Sequence, residues 1–130
     1  MKRILLIGSP GSGKTTILSD LKKRGYTCFQ EISREIIKEA QNNGVKQLFL
    51  TDPVEFNQKV VSGRITQFKK CEDLETTFVF IDRGLPDIIA YNKYLNITSK
   101  PDIIEASKEF IYDYVFLFPA WKKIFKNDNE

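Results

Sequence analysis

The chain contains no histidine, only two cysteines, and a single methionine and a single tryptophan among its 130 residues. Without histidine, imidazole acid–base catalysis and histidine-ligated metal sites are excluded. Cys28 and Cys71 are isolated thiols with no close spacing, so reduced thiols in a cytoplasmic protein are the simplest expectation. No apolar run approaches the length needed to span a membrane. Met1-Lys2-Arg3 before Ile4–Ile7 has the charge pattern of a signal peptide, but its apolar run is too short and reads as a first strand. Excess charge of one sign is also missing. Twenty basic residues against seventeen acidic ones give +3, spread along the chain with no basic-aromatic clusters, so nucleic acid is not an expected partner. Asn96-Ile97-Thr98 is a glycosylation triplet by pattern only. There is no repeat, linker or low-complexity segment, and the length is that of one domain, residues 1–130.

Against these absences one stretch stands out. Ile4–Ile7 breaks at Gly8, crosses Ser9-Pro10-Gly11-Ser12-Gly13, and restarts with helical periodicity at Lys14-Thr15-Thr16. Gly8, Gly13, Lys14 and Thr15 fit G-x-x-x-x-G-K-[ST], the phosphate-binding loop. Glycines let backbone N–H groups approach phosphate oxygens with no Cβ in the way, and the helix beginning near Lys14 aims its positive end at the same anion. Lys14, expected to be exposed at this junction, would reach the β and γ phosphates. The Thr15 hydroxyl would ligate Mg²⁺. A bound nucleoside triphosphate is the expectation, with Gly8 to Thr16 as its cradle.

Downstream, apolar strands alternate with amphipathic helices. Ile17, Leu18 and Leu21 stripe the first helix, which closes at Lys22-Lys23-Arg24-Gly25. Tyr26–Gln30 reads as a second strand ending at Glu31. Ser33 can cap a helix with Ile36, Ile37 and Ala40 on its apolar face, and Gly44 to Thr51 reads as a loop. Asp52-Pro53-Val54-Glu55 is a helix start, and Val54, Val60, Val61, Ile65 and Phe68 would carry its buried side to Cys71. Thr76–Ile81 is a near-continuously apolar strand, as expected of one covered on both faces. Leu85 to Leu95 reads as a helix with Ile88, Ile89 and Tyr91 inward. Pro101 opens another, carrying Ile103, Ile104, Ala106, Phe110 and Ile111, and Tyr114–Phe118 is a fourth strand. This order predicts a mainly parallel three-layer α/β fold with ligands at the carboxyl ends of its strands, where Gly8, Glu31, Asp82 and Pro119 fall.

Asp82 ends an apolar strand downstream of the phosphate loop, where an aspartate can hold a Mg²⁺-bound water or take a proton from an attacking hydroxyl. The bland alternative is a cap on the following turn. Arg83 can neutralise phosphate charge or fix an acceptor, or form a structural ion pair. Glu31 can hydrogen-bond or deprotonate a substrate hydroxyl, or be a solvated charge before a helix. Asp87 can cap its helix or line an acceptor pocket, and Arg34 divides evenly between a function and an exposed charge. Lys22-Lys23-Arg24 reads as a solvated helix end. Asn92-Lys93 lacks the aspartate of a guanine-reading motif and lies within a helix.

The phosphate loop, Gln30–Ile37, Phe80–Asp87 and Tyr112–Phe116 together resemble an AAA-type P-loop ATPase domain family. That family is related to the nicotinamide riboside kinase domain of NadR and to translocation-defect proteins that bind GTP and phosphoinositide. The resemblance implies the fold of nucleoside and nucleotide kinases, with sheet order 2-3-1-4-5, and an acceptor faced by Glu31 and the Asp82-Arg83 pair. It covers the whole chain, yet the family domain continues past the segment matching Asp128-Asn129-Glu130 into lid arginines, a helix and a fifth strand. The expectation is therefore a sheet of order 2-3-1-4 without the fifth strand, whose open edge at residues 114–118 would favour self-association. Trp121, Ile124 and Phe125 would cover that edge only in part. The base-reading loop is missing too, so ATP is expected with GTP not excluded. Two functions follow from these residues. One is a phosphotransferase moving the γ-phosphoryl group of ATP to a small, nucleoside-like hydroxyl acceptor, with Lys14, Glu31, Asp82 and Arg83 catalytic and Thr15 and Asp82 on Mg²⁺. The other is an ATP- or GTP-dependent binding module or switch.

Overall fold

A computed structural model of the chain describes residues 1–8, 12–94, 96 and 98–119. Ser9, Pro10 and Gly11 of the phosphate loop, and Trp121, Ile124 and Phe125, lie outside the described residues.

Among the described residues four strands form one sheet: β1 (Lys2–Gly8), β2 (Thr27–Phe29), β3 (Phe78–Asp82) and β4 (Tyr114–Phe118). Their order is β2-β3-β1-β4 and every pairing is parallel, as the sequence and its resemblance predict. Central β1 reads as a continuous apolar run because both of its faces are covered, and Ile4, Leu5 and Leu6 are all buried. Parallel register aligns the carboxyl ends, setting Gly8 opposite Phe118 and Leu6 opposite Asp82.

Among the described residues six α-helices lie between and beside the strands: α1 (Lys14–Lys23), α2 (Ile32–Asn42), α3 (Leu48–Thr51), α4 (Pro53–Lys70), α5 (Leu85–Tyr94) and α6 (Pro101–Glu109). The start of α4 is the one predicted. Asp52 caps it by accepting from the Glu55 N–H at 3.1 Å, and Pro53 follows, where a missing N–H costs nothing. One core lies under the sheet, where Leu5, Val79 and Ile81 meet Phe68 of α4, Cys71 and Tyr112. The other joins the helices through Ile36, Leu48, Val60, Leu85, Ile88 and Ile103.

Several local expectations are corrected. Strand β2 stops at Phe29, so Glu31 is the N-cap of α2 rather than a strand end, and Ser33 sits inside the helix it was expected to cap. Residues 48–51, expected as loop, form a short helix that buries Leu48. Val54 is exposed because it lies in the first turn of α4, beyond the reach of the core. Tyr91 also faces outward, and Asn92 takes the buried position, its amide donating to Ser99 Oγ at 3.2 Å. Ile104 and Ile111 are exposed, leaving Ile103 and Ala106 to anchor α6. Among the described residues, no helix is long and apolar enough to cross a membrane.

Candidate functional site

The strand-to-helix turn at the carboxyl end of β1 supplies the first part of the site. Gly13 has φ +88°, a left-handed conformation that glycine adopts freely, and among the described residues an added Cβ would meet nothing within 4 Å. Gly13 is the N-cap of α1, and among the described residues no side chain caps that helix. The first N–H groups of a helix need acceptors, and an anion supplies them. Ser12 is buried, and among the described residues its hydroxyl has no hydrogen-bond partner. Gly8 is held for a different reason: a Cβ there would come within 2.9 Å of Phe118 and of Ser12 Oγ.

Lys14, expected to be exposed, is 6% exposed. Its ammonium sits 2.8 Å from Asp82 Oδ1 and 3.4 Å from the Gly8 carbonyl oxygen. The Lys14–Asp82 contact is an ion pair rather than a well-directed hydrogen bond, since Asp82 Oδ1 has no donor in good geometry. The register of β3 against β1 produces this pairing by bringing Asp82 beside the strand that carries the loop.

The next two residues turn the chain sharply. Arg83 is left-handed at φ +64°, which costs a residue with a Cβ about 1–2 kcal/mol. Its N–H still donates to the Leu6 carbonyl at 3.0 Å, extending the sheet ladder. The turn sends the guanidinium back across the sheet edge, where Nη1 donates to Glu31 Oε1 at 3.3 Å and Nη2 to the Gly8 carbonyl at 3.2 Å. Glu31 also accepts from the Ser33 hydroxyl and lies 4.0 Å from Arg34 Nε. Burial works against the charge on Glu31. The Ser33 hydrogen bond and the guanidinium groups of Arg83 and Arg64 outweigh that, holding the carboxyl below its usual range.

Asp87 takes the bland alternative at the level of contacts, accepting from the Gly84 N–H at 2.8 Å as a helix cap would. Burial nonetheless pushes its pKa up, only partly offset by that N–H and by Arg64 and Arg83. Gly84 has no room for a side chain, since a Cβ would lie 2.4 Å from the Tyr112 hydroxyl.

Arg64 of α4 is a site neighbour that sequence reasoning missed. It is 6% exposed, donates from Nη1 to the Gly84 carbonyl at 2.9 Å, and leaves Nε without a partner. Desolvation lowers its pKa, opposed by Asp87 and Glu31. The signal was present, because Val60, Arg64 and Phe68 lie four apart on one helix face and an arginine on a buried stripe is anomalous.

A cleft of about 240 Å³ opens beside the loop, lined by Thr15, Ser19 and Lys22 of α1 together with Phe29, Arg34 and Asp82. The structure thus brings the Thr15 hydroxyl and the Asp82 carboxylate to one cavity. Both are hard oxygen donors of the kind Mg²⁺ takes alongside nucleotide phosphates, so the residues fit that ion. Among the described residues there is no group of three or more His, Cys, Asp or Glu able to hold a metal without such phosphates. Thr16, like Thr15, is exposed in the first turn of α1, and only Thr15 lines the cleft.

No curated protein matches the chain. A solved structure of deoxyadenosine kinase from M. mycoides, with its products dCMP and dCDP bound, is similar to it with a TM-score of 0.60 and 24% identity, covering 94% of this chain. The chain spans 66% of that kinase's length. TT1252 from Thermus thermophilus overlaps 98% of this chain and 94% of its own, with a TM-score of 0.45 and 14% identity. The sheet order, the helices and this likeness are those of a nucleoside-kinase-like P-loop fold. The family described as AAA domain matches residues 3–130, and the chain belongs to it.

Proposed function

We propose that this domain is a P-loop phosphotransferase that moves the γ-phosphoryl group of ATP to a hydroxyl on a small, nucleoside-like acceptor. One observation carries the reading: the Arg83 guanidinium joins the Glu31 carboxylate to the carbonyl of the first phosphate-loop glycine. An acceptor carboxylate and a triphosphate cradle are thereby held a single side chain apart. In this reading the backbone N–H groups of the residues from Gly8 to Thr16 other than Pro10, with the Lys14 ammonium, hold the triphosphate. Glu31 accepts the proton of the acceptor hydroxyl as its oxygen bonds to the γ-phosphorus. The bond from phosphorus to the β–γ bridging oxygen breaks, and the diphosphate leaves. Arg83 orients Glu31 and faces the transferred group. Thr15 and Asp82 would hold Mg²⁺, which neutralises charge on the β and γ oxygens when bound. The described similarity to a deoxyadenosine kinase supports a nucleoside-like acceptor, and GTP remains compatible with the same cradle. Two free thiols fit a reducing, cytoplasmic setting.

A second reading is favoured by the Lys14–Asp82 pair. A single ammonium serves both the phosphate loop and the end of β3, so triphosphate and Asp82 compete for it, as they would in a nucleotide-operated binding module. Kinetics separate the two. Under the phosphotransferase reading, Glu31→Gln leaves Mg²⁺-ATP affinity within about twofold and lowers acceptor-dependent turnover by about 10²-fold or more. Asp82→Asn weakens Mg²⁺-dependent ATP binding as well. Diphosphate release that is independent of every nucleoside and nucleoside monophosphate offered, and unchanged in Glu31→Gln, would leave the switch reading standing instead.

A further inference from the structure

The cleft beside the phosphate loop carries charges that the transfer chemistry does not use. Thr15, Ser19 and Lys22 face it from α1 at intervals of four and three residues, which places them on one side of the helix. Arg34 faces it from the first turn of α2, and Gln30 and Asp82 complete its polar lining. Lys22 therefore lines a cavity, although at the end of α1 it reads as a solvated charge. No carboxylate of the described residues lies within 4.0 Å of its ammonium, whereas Arg24, two residues on, is paired with Asp20. Arg34 reaches Glu31 at the limiting distance of 4.0 Å, with 70% of its side chain exposed. The one carboxylate in the lining, Asp82, is already matched by Lys14. The cavity thus holds Lys22 without a close counter-charge and Arg34 with only a long one, beside the Ser19 hydroxyl, a surplus that favours an anion.

We propose that this cleft binds a phosphate group carried by the acceptor, so that the substrate class is a phosphate monoester with a free hydroxyl rather than a neutral nucleoside. The inference rests on the phosphotransferase reading, which supplies the acceptor, and adds the handle by which the acceptor is recognised. At about 240 Å³ the cavity is smaller than the roughly 300–1,000 Å³ of a pocket that swallows a whole small-molecule ligand, and it suits a phosphate with its adjoining carbons. Arg34 also lies beside Glu31, so a phosphate held between Lys22 and Arg34 leaves the rest of the molecule at the carboxylate that takes the hydroxyl proton. The bound phosphate is a recognition group and undergoes no bond change. An equally tight neutral acceptor would find Lys22 and Arg34 merely solvated.

Calorimetric titrations of the full chain test this, with the phosphate loop first saturated by a non-hydrolysable Mg²⁺-ATP analogue so that no probe can enter it. The probes are ribose against ribose 5-phosphate, and adenosine, cytidine, guanosine and uridine against their 5′-monophosphates. At least one phosphorylated probe is expected to bind 10-fold or more tightly than its neutral partner. That ratio should fall toward one in Lys22→Ala/Arg34→Ala and, independently, in the unaltered protein when NaCl is raised from about 0.05 to about 0.3 M. Equal affinity within every pair, no measurable binding of any phosphorylated probe, or a ratio that survives both treatments overturns the proposal. The initial saturation isolates the underlying reading. If the wild-type chain fails to take up the ATP analogue, the phosphate-loop function falls, whereas uptake followed by equal affinities removes only the anionic acceptor.

Discussion

Lys14 and Asp82 show what a motif conveys and what it hides. The contiguous glycine–lysine–threonine pattern places Lys14 at a phosphate cradle from sequence alone, because every residue it needs lies within eight positions. Its burial was not legible. That depends on Asp82, 68 positions away in sequence and brought alongside by the β1–β3 register. Arg64 was hidden for the converse reason: a charged residue in a helix is usually solvated, and only the buried Val60–Phe68 stripe marks it as an exception. The same burial alters what a lysine substitution measures. Lys14→Met removes a phosphate ligand and also leaves Asp82, with 9% of its side chain exposed, without its counter-charge. Removing one partner of a buried pair typically costs about 3–5 kcal/mol, whereas removing both charges costs far less. Lys14→Met alone is therefore expected to lower the urea unfolding free energy by about 3 kcal/mol. Lys14→Met combined with Asp82→Asn should recover much of that, with a coupling of roughly 1–3 kcal/mol in the double-mutant cycle. Additive effects would mean that the 2.8 Å contact contributes nothing to the fold.

Elements with local signals were the legible ones. The cap and proline of α4 and the apolar runs of β1, β3 and β4 sit in sequence next to the structure they specify. Short β2 and single-turn α3 were misjudged because their limits are set by neighbours rather than by their own residues. The crossing of α2 and α4 was not legible at all, although it sets where Glu31 stands. Gly63 is the contact point, and a Cβ there would lie 2.5 Å from Ile32 Cγ1, the first residue of α2 after the Glu31 cap. Two effects of Gly63→Ala oppose each other. Alanine gains about 1 kcal/mol of helix propensity over glycine, and overpacking a tight contact costs about 1–3 kcal/mol. An overlap with the Cγ1 methylene of a β-branched side chain, close to the backbone and stiff at χ1, cannot be relieved by rotating a side-chain tip, so overpacking wins. Gly63→Ala is expected to destabilise the domain by about 1–2 kcal/mol in urea unfolding and to lower acceptor-dependent turnover by displacing the start of α2. Pairing it with Ile32→Ala, which removes the obstructing carbon, should cost less than the sum of the two single changes. A stabilising Gly63→Ala would show that the helices separate without penalty.

At the scale of the whole molecule, sheet order follows from connectivity and the resemblance, and it places both the site and a hazard. Order β2-β3-β1-β4 puts Gly8 and Asp82 on neighbouring central strands, where the phosphate loop and the end of β3 meet. It also leaves β4 hydrogen-bonded, among the described residues, to β1 alone. Tyr114, Val115, Phe116 and Leu117 are 51–71% exposed, and the strand carries no charge or proline to discourage another chain from pairing. Asp113 just before it is engaged, accepting from the Arg3 N–H at 2.8 Å, and Pro119 lies beyond its last residue. Backbone donors and acceptors along an edge find partners most readily in a second copy of the same strand, and burying four half-exposed apolar side chains adds a hydrophobic gain at about 25 cal/mol per Å². The domain is therefore expected to associate through β4. Sedimentation velocity from about 5 to 200 µM should show a mass that rises with concentration. Val115→Lys should shift it toward monomer, since a lysine on an edge strand opposes its own copy by charge and must be desolvated to pair. Two outcomes speak against this edge as the contact: a single monomeric species across the range, or association that Val115→Lys leaves unchanged. The second would redirect attention to the exposed apolar corner at Leu50 and Val54, where α3 meets α4.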